Sequence, residues 1–168
     1  MTARFNYAQI LPTEGEAAPD DRTEGVPMFP TRQNKTVSVM AKRQSINFPG
    51  FSHQNPIPNA SRIGNIVMSS VIGPSNPGTR DVPPALEAQV ANIFTHLRNA
   101  ITAAGGTADD IIKVEFWVKD PSSQREALNA EWVKMFPDAA SRPARHTQQL
   151  PADSRALVQC AFTAVLGS

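Results

Sequence analysis

Residues 84–120, "PALEAQVANIFTHLRNAITAAGGTADDIIKVEFWVKD", change period part way along, and that change sets the fold. Leu86, Val90, Ile93, Leu97, Ile101 and Ala104 recur every three or four residues, the spacing of a helix that buries one face. Gly105 and Gly106 supply the stop. Thr107, with Asp110 three residues on, predicts an N-cap for one further turn. From there Ile112, Val114, Phe116 and Val118 alternate with Lys113, Glu115, Trp117 and Lys119, the period of a strand covered on one side.

The flanking segments extend this pattern. Upstream, "RIGNIVMSSVIG" (62–73) is rich in branched residues and closed by Gly73 and Pro74, which predicts one buried strand. "PSNPGTRDVPP" reads as loop. Downstream, Leu128, Trp132, Met135 and Phe136 give residues 121–136 a helical period, with Ser122 or Ser123 as the expected cap. A strand from about Ala144, a turn at "PADS" and a final strand, "RALVQCAFTAVL", complete the order. Strand, helix, strand, helix, strand, strand predicts an α+β domain with two helices on one face of a single sheet. The last strand carries Val158, Cys160 and Phe162 on one side and Leu157, Ala161 and Val165 on the other. Apolar residues on both sides would leave the open face exposed in a monomer, so oligomerisation through that face is expected.

Composition bounds the remaining possibilities. The 168 residues suffice for one domain with a real core, and 40% hydrophobic with 18% charged fits a globular chain rather than a disordered one. Residues 1–39 differ: they are rich in Pro, Thr, Glu and Asp without sustained apolar period. They read as a partly disordered N-terminal arm, ahead of a domain spanning 40–168. The net charge of +1, with scattered basic residues, speaks against nucleic acid as a partner. The sequence offers no apolar run near 18 residues and no signal-peptide core, so no membrane partner and a cytoplasmic location are expected. One cysteine, Cys160, excludes an internal disulfide, and no Cys/His cluster has zinc spacing. No structural metal is expected.

No phosphate loop, HExxH or GxSxG motif is present, and "GGTADD" reads as a helix C-cap. His53, His96 and His146 are far apart in sequence. His96, in mid-helix, is expected on the helix surface, and Cys160 as a small packed hydrophobe.

The C-terminal third carries the informative motif. "SRPARHT" followed by "LP" and an apolar last strand, with "GNIVMSS", "AGGTADDIIKVEFWVKD" and "LNAEW" upstream, resembles the Rid family of reactive intermediate deaminases over residues 45–166. The resemblance implies a chorismate-mutase-like α+β fold, assembled as a homotrimer whose sheets line a central barrel, with a ligand cleft at each subunit interface. It also implies that Arg145, in the Pro-Ala-Arg motif, grips the carboxylate of a 2-imino or 2-enamino acid. A guanidinium fork suits that task, because it meets a carboxylate through two parallel hydrogen bonds.

Against the family pattern this chain departs at several places. Ile57 stands where a tyrosine is usual, and a Ser-Gly-Gln sequence is replaced by Ser70, Val71 and Ile72. The acid that usually positions or activates water aligns with Gln159, which can orient a water but cannot take its proton. His146 follows the arginine in place of Thr or Ser and is a candidate replacement base. Asn129 matches the family's second-helix asparagine. Arg145, Gln159 and His146 are therefore the candidate catalytic residues, and Arg145, Ser70, Ile57, Ile72 and Asn129 the candidate substrate contacts.

Two functions follow. One is hydrolytic deamination of a small carboxylate-bearing imine or enamine, an intermediate of a particular pathway, to a keto acid and ammonia. That activity, implied by the resemblance, would need no metal or organic cofactor. The other is a trimeric module that binds a 2-keto acid without chemistry. Endoribonuclease activity, ascribed to some relatives, fits worst, since neither a basic track nor paired histidines are visible.

Overall fold

The structure, a computed structural model, describes residues 42–167. The arm expected over 1–39 lies outside the described residues. Six strands form one sheet: β1 (Gln44–Ile46), β2 (Ala60–Ile63), β3 (Ile66–Ser69), β4 (Ile111–Val118), β5 (Ala144–Gln149) and β6 (Val158–Val165). Helices α1 (Leu86–Ala103) and α2 (Arg125–Met135) follow β3 and β4 respectively. The spatial order is β1-β2-β3-β6-β4-β5, antiparallel except for the parallel pair β4 and β5. The sheet is therefore mixed, and β5 forms one edge.

Both helices cover one face. Phe116 of β4 stacks on Phe94 of α1 at 5.8 Å between ring centroids and meets Trp132 of α2 edge-on at 6.0 Å. Val114, Phe116 and Val118 of β4 are buried beside Val158, Cys160 and Phe162 of β6, and Ile93, Leu97 and Ile101 of α1 close over them. Each such buried side chain contributes about 1.5–3 kcal/mol relative to exposure. The opposite face is bare in the single chain: Ile66 and Met68 of β3 remain 52% and 59% exposed, with Ile63, Ile112 and Val165 also open.

Four local expectations are corrected. The single strand over 62–73 is a hairpin, because Gly64 (φ 59°) turns the chain with Asn65 and pairs Ile63 with Ile66. Two residues of that type between apolar runs are a hairpin signal. The alternation of β4 slips at a bulge between Ile111 and Lys113, so Ile111 is buried while Ile112 points outward. Neither Ser122 nor Ser123 caps α2; Gln124 precedes it, and both hydroxyls donate to the Asp120 carboxylate at 2.6 Å. Those bonds hold the Asp120 carboxyl down to about 2.

His96 is the fourth. It is fully buried rather than on the helix surface, packed near Phe48 and Phe51, and its Nε2–H donates to the Ser75 carbonyl at 2.8 Å. That bond fastens the loop after β3 to α1. Its Nδ1 has no partner among the described residues.

The glycine stop behaves as read. The Gly106 and Gly105 N–H groups donate to the Ile101 and Thr102 carbonyls, the bonds of a Schellman cap. Asp110 then accepts from the Thr107 N–H at 2.7 Å and from the Gly167 N–H at 2.8 Å, tying the end of the described chain to this corner.

Two predictions follow from this packing. A Cβ at Gly106 would stand 2.5 Å from Leu166 Cδ2 and 2.9 Å from Asp110 Oδ2. Gly106→Ala is expected to cost about 1–3 kcal/mol in denaturant unfolding, in the range of core overpacking. Burial lowers the pKa of His96, opposed by its bond to Ser75, and lowers that of His53. The folded chain thus binds fewer protons than the unfolded chain, so stability is full above about pH 6.5 and falls as pH drops below it. The unfolding midpoint should decline between pH 7 and 5, with a shallower slope in His96→Gln.

Candidate active site

Arg145 sits on edge strand β5 in register with Val114 of β4, so its side chain lies on the sheet face that carries the helices. There α2 presents two groups to it. The Arg145 Nη1–H donates to Asn129 Oδ1 at 2.8 Å, and the guanidinium carbon lies 5.1 Å from the Trp132 ring centroid. Asn129 and Trp132 are three residues apart on α2, hence on one side of the helix. A hydrogen bond and a ring face thus aim the guanidinium while leaving it other N–H donors.

Beside Arg145 is a pocket of about 340 Å³, lined also by Val118, Pro121, Gln124, Arg125, Leu128 and Thr147. No carboxylate lines it. The side-chain ion pairs among the described residues, Lys113–Glu115 and Lys134–Glu131, leave both arginines without an acid. Burial holds the Arg145 pKa below its usual value, and the Arg125 charge adds to that. The pocket is electropositive and suited to a small anion.

Gln159 lies elsewhere. It pairs with Trp117, one step out of phase with Val114, Phe116 and Val118, so it projects from the open face. It lines a second pocket, about 570 Å³, together with Ile57, Val71, His53, Arg80 and Arg155. His146, next to Arg145 on the strand, pairs with Glu115 and faces the open side as well. Ser70 donates its Oγ–H to the Pro58 carbonyl at 2.7 Å and its N–H to the Asn59 carbonyl. Ile72 is fully buried and exchanges backbone hydrogen bonds with Cys160, so its side chain belongs to the core and lines neither pocket.

Four of the sequence candidates thus fall into two groups, Arg145 with Asn129 on one side of the sheet and Gln159 with Ile57 on the other, while Ser70, Ile72 and His146 line neither pocket. Sequence reasoning missed Arg125, Thr147 and His53. Arg125 had a signal, being four residues before Asn129 on the same helix. Thr147 had one too, two residues beyond Arg145 on the strand. His53 had none, since it stands outside the helices and strands. It packs edge-on to Phe51 at 5.1 Å, and its Nε2 is shielded from solvent without a partner among the described residues. Burial lowers its pKa, favouring the neutral ring.

Known proteins resemble this chain in sequence and fold. The model of the family described as Endoribonuclease L-PSP matches residues 52–165. A RutC family protein of Haemophilus influenzae is 34% identical over 103 residues, 58% of this chain and 78% of that protein. The 2-iminobutanoate/2-iminopropanoate deaminase of Escherichia coli is 32% identical over 95 residues, 54% of this chain and 73% of the relative. Among solved structures, a hypothetical protein of Haemophilus influenzae matches with a TM-score of 0.65 at 29% identity, covering 74% of this chain and 98% of its own. A probable translation initiation inhibitor of Rhodopseudomonas palustris shares the fold with a TM-score of 0.69 at 21% identity, covering 76% and 100%. With more than half of its length matched in order, from the loop before β2 to the end of β6, the chain belongs to the Rid family, also described as Endoribonuclease L-PSP.

Proposed function

We propose that the chain is an imine or enamine deaminase whose site is completed between copies in a homotrimer. Its substrate is a small 2-imino acid, and the reaction is hydrolysis: water adds to the C=N carbon, the C–N bond breaks, and a 2-oxo acid and ammonium leave. The observation that carries this reading is Arg145, oriented by Asn129 and Trp132 in a pocket with no acid. Relatives named imine deaminases support it.

Within one protomer the sheet separates Arg145 from Gln159, because the two side chains leave opposite faces. Burying the exposed Ile63, Ile66, Met68, Ile112 and Val165 gives the single chain a reason to associate through the open face. Association brings the Gln159 pocket of one copy to the Arg145 pocket of the next. Arg145 then holds the carboxylate, Gln159 orients the water, and neutral His53 of the Gln159 pocket takes the proton that an amide cannot. The enamine tautomer enters the same route once protonated at carbon. The domain is proposed to span 40–168.

The Gln159 amide in place of an acid favours one second reading, a trimeric receptor for a 2-keto acid, and one assay separates the two. An amino-acid oxidase generates 2-imino acids in situ, and semicarbazide traps whatever imine survives. Wild type should suppress trapping, Arg145→Ala should abolish the suppression, and His53→Gln should lower turnover by about 10²–10⁴. No suppression with any imine, while pyruvate raises the melting temperature of wild type but not of Arg145→Ala, would leave the receptor.

A further inference from the structure

Resting on the reading of Arg145 as a carboxylate anchor, we propose that the substrate carries two acidic groups, a 2-imino dicarboxylate, and that Arg125 holds the second. Arg125 opens α2 and Asn129 lies one turn further on, so the residue that aims Arg145 and the second arginine share one face of the helix. Both arginines line the same pocket of about 340 Å³, a size suited to a small metabolite.

The electrostatics of that pocket are unbalanced. Burial first, and the Arg125 charge second, disfavour the charge on Arg145, and neither arginine has a carboxylate partner among the described residues. Arg125 also occupies the first turn of α2, where the partial positive charge of the helix end favours an acid rather than a base. Folding therefore gains nothing electrostatically from placing a cation here. A single carboxylate neutralises one of the two charges, whereas a ligand with two carboxylates neutralises both. Apolar Val118 and Leu128 line the same pocket and suit a short methylene chain between the two acids.

The selectivity ratio tests the assignment. Imines of a dicarboxylic and of a monocarboxylic amino acid are generated by matched oxidases, and kcat/KM is read from suppressed semicarbazone formation. Wild type should prefer the dicarboxylic imine by at least about tenfold, the worth of one charge-assisted hydrogen-bonded contact. In Arg125→Gln the ratio should collapse toward one, and Arg125→Lys should restore part of it, while Arg145→Ala removes turnover of both imines. An equal kcat/KM for both imines in wild type, or a ratio unchanged in Arg125→Gln, overturns the proposal.

If wild type processes no imine, calorimetry with 2-oxoglutarate and pyruvate reads the same site without chemistry. An Arg125-dependent preference for 2-oxoglutarate upholds the second-acid site although the deaminase reading has failed. Equal binding, or inorganic phosphate binding more tightly than 2-oxoglutarate in an Arg125-dependent way, overturns the dicarboxylate.

Discussion

The pleat of the sheet is the constraint on which the site depends. Successive residues of a strand leave opposite faces, so once β4 commits Val114, Phe116 and Val118 to the helices, every residue in register with them follows. Arg145 and Thr147 of β5 share their side, and Gln159, Trp117 and His146 take the other. A one-residue slip of β5 would exchange Arg145 for His146 beneath α2. The aromatic chain of Phe94, Phe116 and Trp132, which continues to Phe136, packs both helices on β4, and its Trp132 ring is the one under the guanidinium. Core packing and the proposed ligand recognition therefore meet in Trp132.

The same pleat underlies the proposal that the site is completed between copies. A single layer of helices covers a single face, and β3, β4 and β6 leave large apolar side chains on the other. The half-site with Gln159 and Ile57 is on the uncovered side, while the half-site with Arg145 and Asn129 is on the covered side near the β5 edge. Under the proposed function, burial of the apolar face and joining of the two pockets are both met by a neighbouring copy.

How much of this was legible in the sequence differs by element. Both helices and the strands β4 and β6 could be read because helical spacing ran through each helix, alternation through β4 beyond its first residues, and a continuous apolar run through β6. The β2–β3 hairpin could not be read as one run, since two residues, Gly64 and Asn65, reverse the chain inside an otherwise apolar segment. The outward turn of Ile112 comes from a bulge, which leaves no mark in composition. His96 misled because a polar residue on a helix is commonly exposed, whereas here a carbonyl of a distant loop satisfies it. For the site, the Pro-Ala-Arg motif located Arg145, and strand alternation already implied that His146 faces the other way. Ile72, in sequence beside Ser70 and Val71, turned out to be core. His53, Arg80 and Arg155 come from outside the strands and helices, where no period predicts which side chains converge.

Subunit complementation tests most directly whether the two half-sites belong to different copies. Arg145→Ala and Gln159→Ala, each impaired alone, are unfolded together in equal amounts, refolded, and assayed for imine hydrolysis. Mixed oligomers should contain interfaces that join an intact Arg145 to an intact Gln159, with recovery to about a quarter of wild-type turnover for random assembly in a closed ring. Activity that stays at the mean of the two variants would place both residues in one protomer's site and contradict the division of the site by the sheet.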